Sequence, residues 1–251
     1  FLVYRFDVFG YCEKMSIKVV LLMFLLALIP LSHAKSEDMI ACIDDHPPYQ
    51  HLSNKENEKP YGTHITALEQ LASLLEKEIS FVQSPNFARC VALLKSGDAD
   101  VIAGLNNNKE RMKFAFYAPF KEADARIVIS TPDVNIKEYK DFYGKIIGIP
   151  RGTTYFRKFD EDTLLTKVSI HNERTGIELL LKKRIDIIIT SVHVLNSLTS
   201  DIKKSKLKVS SLNLVDDDKT LFGFSRKNKL NLTEKEIVSI TTAAFQGGYF
   251  K

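Results

Sequence analysis

The stretch FARCVALLKSGDADVIAG, residues 87–104, decides the fold. Its first part, FARCVALLKSG, reads as a helix closed by Gly97, because glycine takes the left-handed conformation needed just past a helix end. ADVIAG then reads as a short apolar strand. The same alternation runs upstream. MIACI (39–43) reads as a strand, and DDHPPYQHLSNKENEKPYG (44–62) as a polar, proline-bearing loop. ITALEQLASLLEKE (65–78) places Ile65, Leu68, Leu71, Ala72 and Leu75 at helical spacing, and ISFV (79–82) is a short strand. Strand and helix in alternation imply parallel pairing in an α/β layer.

A second block obeys the same logic. KIIGIP (145–150) is a strand, GTTYFRKF (152–159) opens a helix, and TKVSIH (166–171) is a strand. GIELLLKKR (176–184) is a helix, IDIIIT (185–190) an apolar strand and HVLNSL (193–198) a helix. Two extended segments, ARIVIS (125–130) and LFGFS (221–225), lie between and beside the blocks. NLTEKEIVSITTAAF (231–245) starts a helix, with Thr233 and Glu236 in capping-box spacing. The pattern predicts two α/β lobes joined by two hinge strands. Lobe 1 covers 35–127, lobe 2 covers 128–221, and 222–251 returns to lobe 1. A ligand would sit in the cleft where strand C-terminal ends and helix N-termini converge, and the lobes would close on it by a hinge motion.

The first residue is Phe, and Met15 begins MSIKVVLLMFLLALIPLSHAKS. Lys18, the apolar run from Val19 to Leu31 and the small residues Ser32 and Ala34 form the pattern of a secretory signal peptide, with cleavage expected after Ala34. The apolar run is shorter than the ~20 residues of a membrane span. Residues 1–14 lie upstream of that start and are set aside. The mature protein is therefore expected to be soluble and periplasmic. Cys12 would be lost with the leader, leaving Cys42 and Cys90 as an even pair in an oxidising compartment. A disulfide is expected, the other reading being two buried free thiols.

Composition excludes several classes. A net charge of +4, with no basic block interleaved with aromatics, does not point to nucleic acid. His46, His51, Asp44 and Asp45 straddle a proline turn and match no compact zinc signature, so no metal and no cofactor are expected. Nucleophile-elbow, phosphate-loop and zinc-protease motifs are missing from the sequence, so no enzyme activity is expected. Asn231 in NLT reads as part of a helix start, and Arg89 as structural.

The ordered series PPY (47–49), LKSGDADVIAG (94–104), KER (109–111), YAPF (117–120), YGKIIGIPRGTT (143–154) and KRIDIIIT (183–190) resembles the family-3 extracellular solute-binding proteins. These are the polar-amino-acid-type periplasmic proteins that serve ABC importers. The resemblance implies a type 2 periplasmic-binding fold. FARC also looks like a branch of the family in which the first-strand Cys pairs with the Cys after Arg, which supports a Cys42–Cys90 bond. The resemblance further implies roles within AGLNNNKERMKF (103–114) and beyond it. Arg111 would hold a ligand carboxylate in a bidentate pair, for which a planar guanidinium is suited. Asn106 stands where members carry Ser or Thr that bonds the ligand, and Gly104 would offer its backbone. Asn107 and Asn108 would shape the turn. Gly152, Thr153 and Thr154 match a loop at a helix start, whose free N–H groups favour an anionic oxygen. His46 falls where many members place a stacking aromatic, with Asp44, Asp45 and Tyr49 as neighbours. Ser191 stands where amino-acid binders carry the Asp that pairs with the ligand ammonium. Either Asp44 or Asp45 takes that task, or the ligand lacks an α-amino group. Arg151 lies near the expected cleft and adds positive charge there.

The function implied is capture of a small carboxylate-bearing solute, an amino acid or related organic acid, for ABC-type import. A ligand-sensing module signalling to a membrane partner is the alternative, and a dehydratase-like enzyme on the same fold a minor one. The partners implied are the solute and an ABC permease or membrane sensor, the protein acting as a monomer. Relatives usually continue past the AAFQGGYFK with which this sequence stops.

Overall fold

The computed structural model describes residues 38–53, 58–199, 206–210, 212, 214 and 219–250. The expected signal peptide lies outside the described residues. Two five-stranded sheets form the two lobes. In lobe 1 the strands are β1 (Met39–Ile43), β2 (Ile79–Gln83), β3 (Val101–Ala103), β4 (Ala115–Glu122) and β10 (Lys219–Ser225), in the order β2-β1-β3-β10-β4. In lobe 2 they are β5 (Arg126–Ser130), β6 (Ile146–Pro150), β7 (Thr166–Ile170), β8 (Ile187–Ser191) and β9 (Lys208–Ser210), in the order β7-β6-β8-β5-β9. Three parallel strands lead each sheet, and antiparallel strands complete it.

The helices are α1 (Thr63–Leu74), α2 (Phe87–Ser96), α3 (Arg157–Glu161), α4 (Glu173–Leu181), α5 (Val192–Leu198) and α6 (Glu234–Gln246). Gly97 ends α2 in the left-handed conformation, as expected, and the Thr233–Glu236 capping box starts α6. One expectation fails. GTTYFRKF does not open a helix at residue 152. A turn closed by Thr153 N–H on the Pro150 carbonyl occupies that place, and α3 begins only at Arg157.

Alternation along each strand divides the core between the two sheet faces. Met39, Ala41 and Ile43 pack toward α1 and α6, against Leu68, Leu71 and Ile237. Cys42 points to the opposite face and meets Cys90 of α2 beside Leu94 and Ile102. The two cysteines form a disulfide with Cα atoms 5.4 Å apart. In lobe 2, Ile187 and Ile189 face Phe142 and Phe159, while Ile188 faces Ile177 and Leu180 of α4. All of β8 is buried, which is why it reads as an unbroken apolar run.

One device is repeated in both lobes. The buried Asp100 carboxylate, just before β3, accepts the Ile40 N–H of β1 at 2.8 Å and the Lys229 N–H at 2.8 Å. Asp186, just before β8, accepts the Ile146 N–H of β6 at 2.7 Å. An acid before the strand thus ties it to its parallel neighbour in each sheet, satisfying an N–H at the strand's start.

The first crossing between lobes falls at residues 123–125. Arg126 and Ile127 already pair with Ser191 and Thr190 of β8, so the chain enters the second sheet two residues before the expected boundary. The return is in place by Lys219, which pairs with Glu122, rather than after residue 221. The first crossing passes directly from β4 to β5, with the strand C-terminal ends of both lobes on one cleft.

Candidate ligand cleft

The cleft is built from residues at and just beyond the C-terminal ends of the parallel strands. Asp44, His46 and Tyr49 come after β1, and Gly104, Asn106 and Arg111 after β3. Lobe 2 contributes Thr153 and Thr154 after β6, Glu173 after β7, and Ser191 at the end of β8. A cavity of about 100 Å³ is lined by Asp44, His46, Gly104, Asn106, Arg111, Thr153, Thr154 and Glu173, among others. It shares His46, His64, Gly104, Asn106, Thr153, Thr154 and Glu173 with a larger cavity of about 500 Å³ that runs to the crossings. Tyr49, Asp124, Arg126, Tyr155 and Ser191 line that second space. Its size is within the range of small-molecule sites.

Arg111 opens a short 3-10 turn, its N–H held by Asn108 Oδ1 at 2.8 Å. Asn108 thus shapes the turn. Arg111 is 6% exposed. Nη1 donates to the Asn106 carbonyl at 2.8 Å and to Thr154 Oγ1 at 3.2 Å, and Nη2 donates to the Gly152 carbonyl. The Phe87 ring lies 5.9 Å from its centre. Burial lowers its pKa. Among the described residues no carboxylate forms an ion pair with it. Asp160, the acid that acts on it at longer range, accepts the Tyr155 N–H instead. Asn106 reaches across as well, its Nδ2 donating to the Thr154 carbonyl at 2.6 Å. Gly152 takes a positive φ and lies so close to α2 that a Cβ there would stand 2.7 Å from the Ala88 backbone. Gly104, also at positive φ, would put a Cβ 2.9 Å from His64. Both glycines are required by close approach as well as by conformation. Gly152 itself lines neither of the two cleft cavities.

The helix-dipole argument for Thr153 and Thr154 does not apply, because α3 starts three residues beyond Thr154 and is only five residues long. The loop offers the Thr154 hydroxyl and carbonyl instead.

The cleft also holds a cluster of charge. His46 Nδ1 lies 3.3 Å from Glu173 Oε2 across the lobes. Burial alone would depress His46, but the carboxylates of Glu173, Asp44 and Asp45 raise it to about 9. Burial would raise Glu173, yet His46 holds it below its usual range. Asp44 is pushed up to about 6, chiefly by burial. Tyr49 is stacked between two imidazoles, 5.3 Å from His46 and 4.7 Å from His64. Burial lowers His64 to about 3, so it is neutral. Its Nδ1 lies 3.4 Å from Gln50 Nε2, whose partner oxygen accepts the Asp44 N–H at 3.1 Å. His64 and Glu173 carry no distinguishing motif in the sequence.

This pairing depends on pH. His46 is raised from 6.5 to about 9, so its pairing contributes stability fully below pH 6.5, lost as pH rises through about 9. Glu173 is lowered from 4.5, so the same pair also fails in acid as that carboxylate protonates. The melting-temperature difference between wild type and His46→Gln should therefore shrink from pH 6.5 to above 9. A difference constant across that range would contradict the ion pair.

Asp45 does not join the cleft. It lines neither cavity, and its carboxylate lies 3.8 Å from Arg174 of α4. Its neighbour Asp44 turns inward instead. Ser191 lines only the larger cavity, and its hydroxyl is engaged. Its Oγ caps α5 by accepting the Val194 N–H at 3.2 Å and lies 2.9 Å from Tyr49 Oη. Tyr49 in turn donates to Asp124 at 2.5 Å, and Asp124 also accepts from Lys121 at 2.8 Å.

Two α/β lobes, a strand-to-strand crossing from β4 to β5, a return of the chain to lobe 1 in β10 and a cleft at the strand C-termini define a type 2 periplasmic-binding fold. The chain belongs to the bacterial extracellular solute-binding proteins, family 3, whose model matches residues 39–206. Solved structures agree on the fold. Holo ArgBP from T. maritima is 17% identical, with a TM-score of 0.66 over 84% of this chain and 90% of that one. The amino acid ABC transporter substrate-binding protein AbpA from Streptococcus pneumoniae, bound to L-arginine, is 18% identical, with a TM-score of 0.65 over 85% and 89%. A histidine kinase sensor domain with similarity to periplasmic binding proteins is 14% identical, with a TM-score of 0.68 over 86% and 93%. No curated protein matches the chain. Among the described residues no helix is long and apolar enough to cross a membrane.

Proposed function

We propose that this protein captures a small carboxylate-bearing solute, an amino acid or related organic acid, between its lobes and delivers it to an ABC-type importer. The observation that carries this reading is Arg111. It is a buried guanidinium whose described partners are two backbone carbonyls and a hydroxyl, all neutral. A buried charge lacking a counter-charge is costly, and a ligand carboxylate supplies one with bidentate geometry. Asn106, Gly104, Thr153, Thr154 and His46 complete the contact surface in this reading. Gly152 acts by letting the loop approach α2. Asp45 and Ser191 support the cleft from outside the contact. The protein works by binding and release, as a monomer, after export and cleavage behind Ala34.

A thermal-shift screen with amino acids, dicarboxylates, polyamines and short peptides tests the reading, since a ligand raises the melting temperature by mass action. Carboxylates are expected to stabilise. Stabilisation by carboxylate-free amines alone would overturn it. A second reading, a sensor signalling to a membrane partner, is favoured by the likeness to a histidine kinase sensor domain. Permease and ATPase genes beside this one would support transport, and a sensor kinase gene would support signalling.

A further inference from the structure

We infer that Glu173 is a specificity-determining residue that recognises a cationic group on the bound solute, the task for which Ser191 offers only a neutral hydroxyl. The inference rests on the carboxylate reading of the cleft and deepens it: the solute carries positive as well as negative charge.

The smaller cavity is lined by the cations Arg111 and Arg151 and by a cluster of Asp44, His46 and Glu173. That cluster holds two carboxylates against one imidazole, so it can take a further positive charge. Glu173 is placed for that contact. It is 9% exposed, lines both cavities and projects from the first turn of α4, behind the Asn172 cap. A carboxylate there is favoured by the N-terminal end of the helix and stays ionised. Its contact with His46 is 3.3 Å, longer than the ~2.8 Å of a tight charge-assisted bond. A solute ammonium can therefore bond Glu173 beside or in place of the imidazole.

The competing groups are occupied. Asp45 faces Arg174 and lines neither cavity. Asp124 is held by Tyr49 and Lys121. Ser191 is bonded to Val194 and lies against Tyr49. Asp44 lines the smaller cavity alone, whereas Glu173 lines both, and burial raises Asp44 to about 6 while His46 holds Glu173 below its usual range. Glu173 is the remaining carboxylate on the cavity that Arg111 also lines.

The test is titration calorimetry with the standard L-amino acids, each beside the desamino acid of the same side chain. Wild type should bind at least one amino acid more tightly than its desamino analogue. Glu173→Gln, which keeps the shape and removes the charge, should lose roughly thirtyfold or more for that amino acid, the loss typical of breaking a buried charge pair. The desamino acid should be little affected, and Glu173→Asp should recover part of the loss. Equal affinity of wild type for both members of every pair would overturn the inference while leaving the carboxylate reading intact. So would full amino-acid affinity in Glu173→Gln. Failure of wild type to bind any carboxylate would overturn both. Wild-type selectivity needs no variant to fold, and circular dichroism checks the variants.

Discussion

Arg111→Ala is expected to weaken solute binding by about two orders of magnitude or more, within the 2–5 kcal/mol typical of truncating one partner of a buried charge pair. The guanidinium lines the smaller cavity beside Asn106 and Thr154. Removing it takes the bidentate partner from a solute carboxylate in a low-dielectric cleft, where Arg151 is the other arginine on the cavity. Arg111→Lys should rescue little, since an ammonium cannot reproduce the two parallel bonds of the planar fork. Folding should survive. The side chain's described bonds go to two carbonyls and a hydroxyl near the lobe boundary, and its removal also relieves the cost of burying a charge. Calorimetry on wild type and variant, with melting curves as a control, gives the answer. An unchanged affinity would exclude Arg111 from the site.

The second large effect concerns the Cys42–Cys90 bond. The two cysteines are 48 residues apart, so the loop-closure relation gives about 4 kcal/mol of stabilisation. For a domain of this size that corresponds to a fall of roughly 8–16 °C in melting temperature when the bond is lost. The bond joins the central part of lobe 1 to α2, whose first turn carries Phe87 and Ala88 against the cleft. Both sulfurs are fully buried beside Leu94 and Ile102, so reduction requires the lobe to open. Calorimetry of Cys42→Ala/Cys90→Ala, and of wild type after reduction in denaturant and refolding, should show the drop. Equal melting temperatures would contradict it.

Much of this is legible in the sequence where local chemistry and tertiary structure agree. Gly97 closes α2 because its role is local, and the Thr233–Glu236 box caps α6 for the same reason. The apolar runs MIACI and IDIIIT read correctly as strands, since a strand covered on both faces has little other pattern. The strand order arises from those units, and so does the convergence of Arg111, Asn106 and Thr154. The short edge strand β9 (Lys208–Ser210) carries no strong signal and is not foreseen by the sequence pattern. The helix read at GTTYFRKF starts late because the 150–153 turn intervenes. Which of Asp44 and Asp45 faces the cleft depends on the turn through Pro47 and Pro48, which residue types alone do not settle. Glu173 escapes a reading of the sequence for a clear reason. A glutamate in the first turn of a helix is ordinary, and only the packing of lobe 2 against lobe 1 sets it opposite His46.

The central claim is that the solute is held through a carboxylate at Arg111. Its most direct test is calorimetry of wild type with a solute that stabilises it in the thermal screen, beside the methyl ester of the same solute. Esterification removes the negative charge and keeps nearly all other contacts. The acid should bind and the ester should bind at least tenfold more weakly, a loss of about 1.4 kcal/mol or more. An ester that binds as tightly as its acid would contradict the claim.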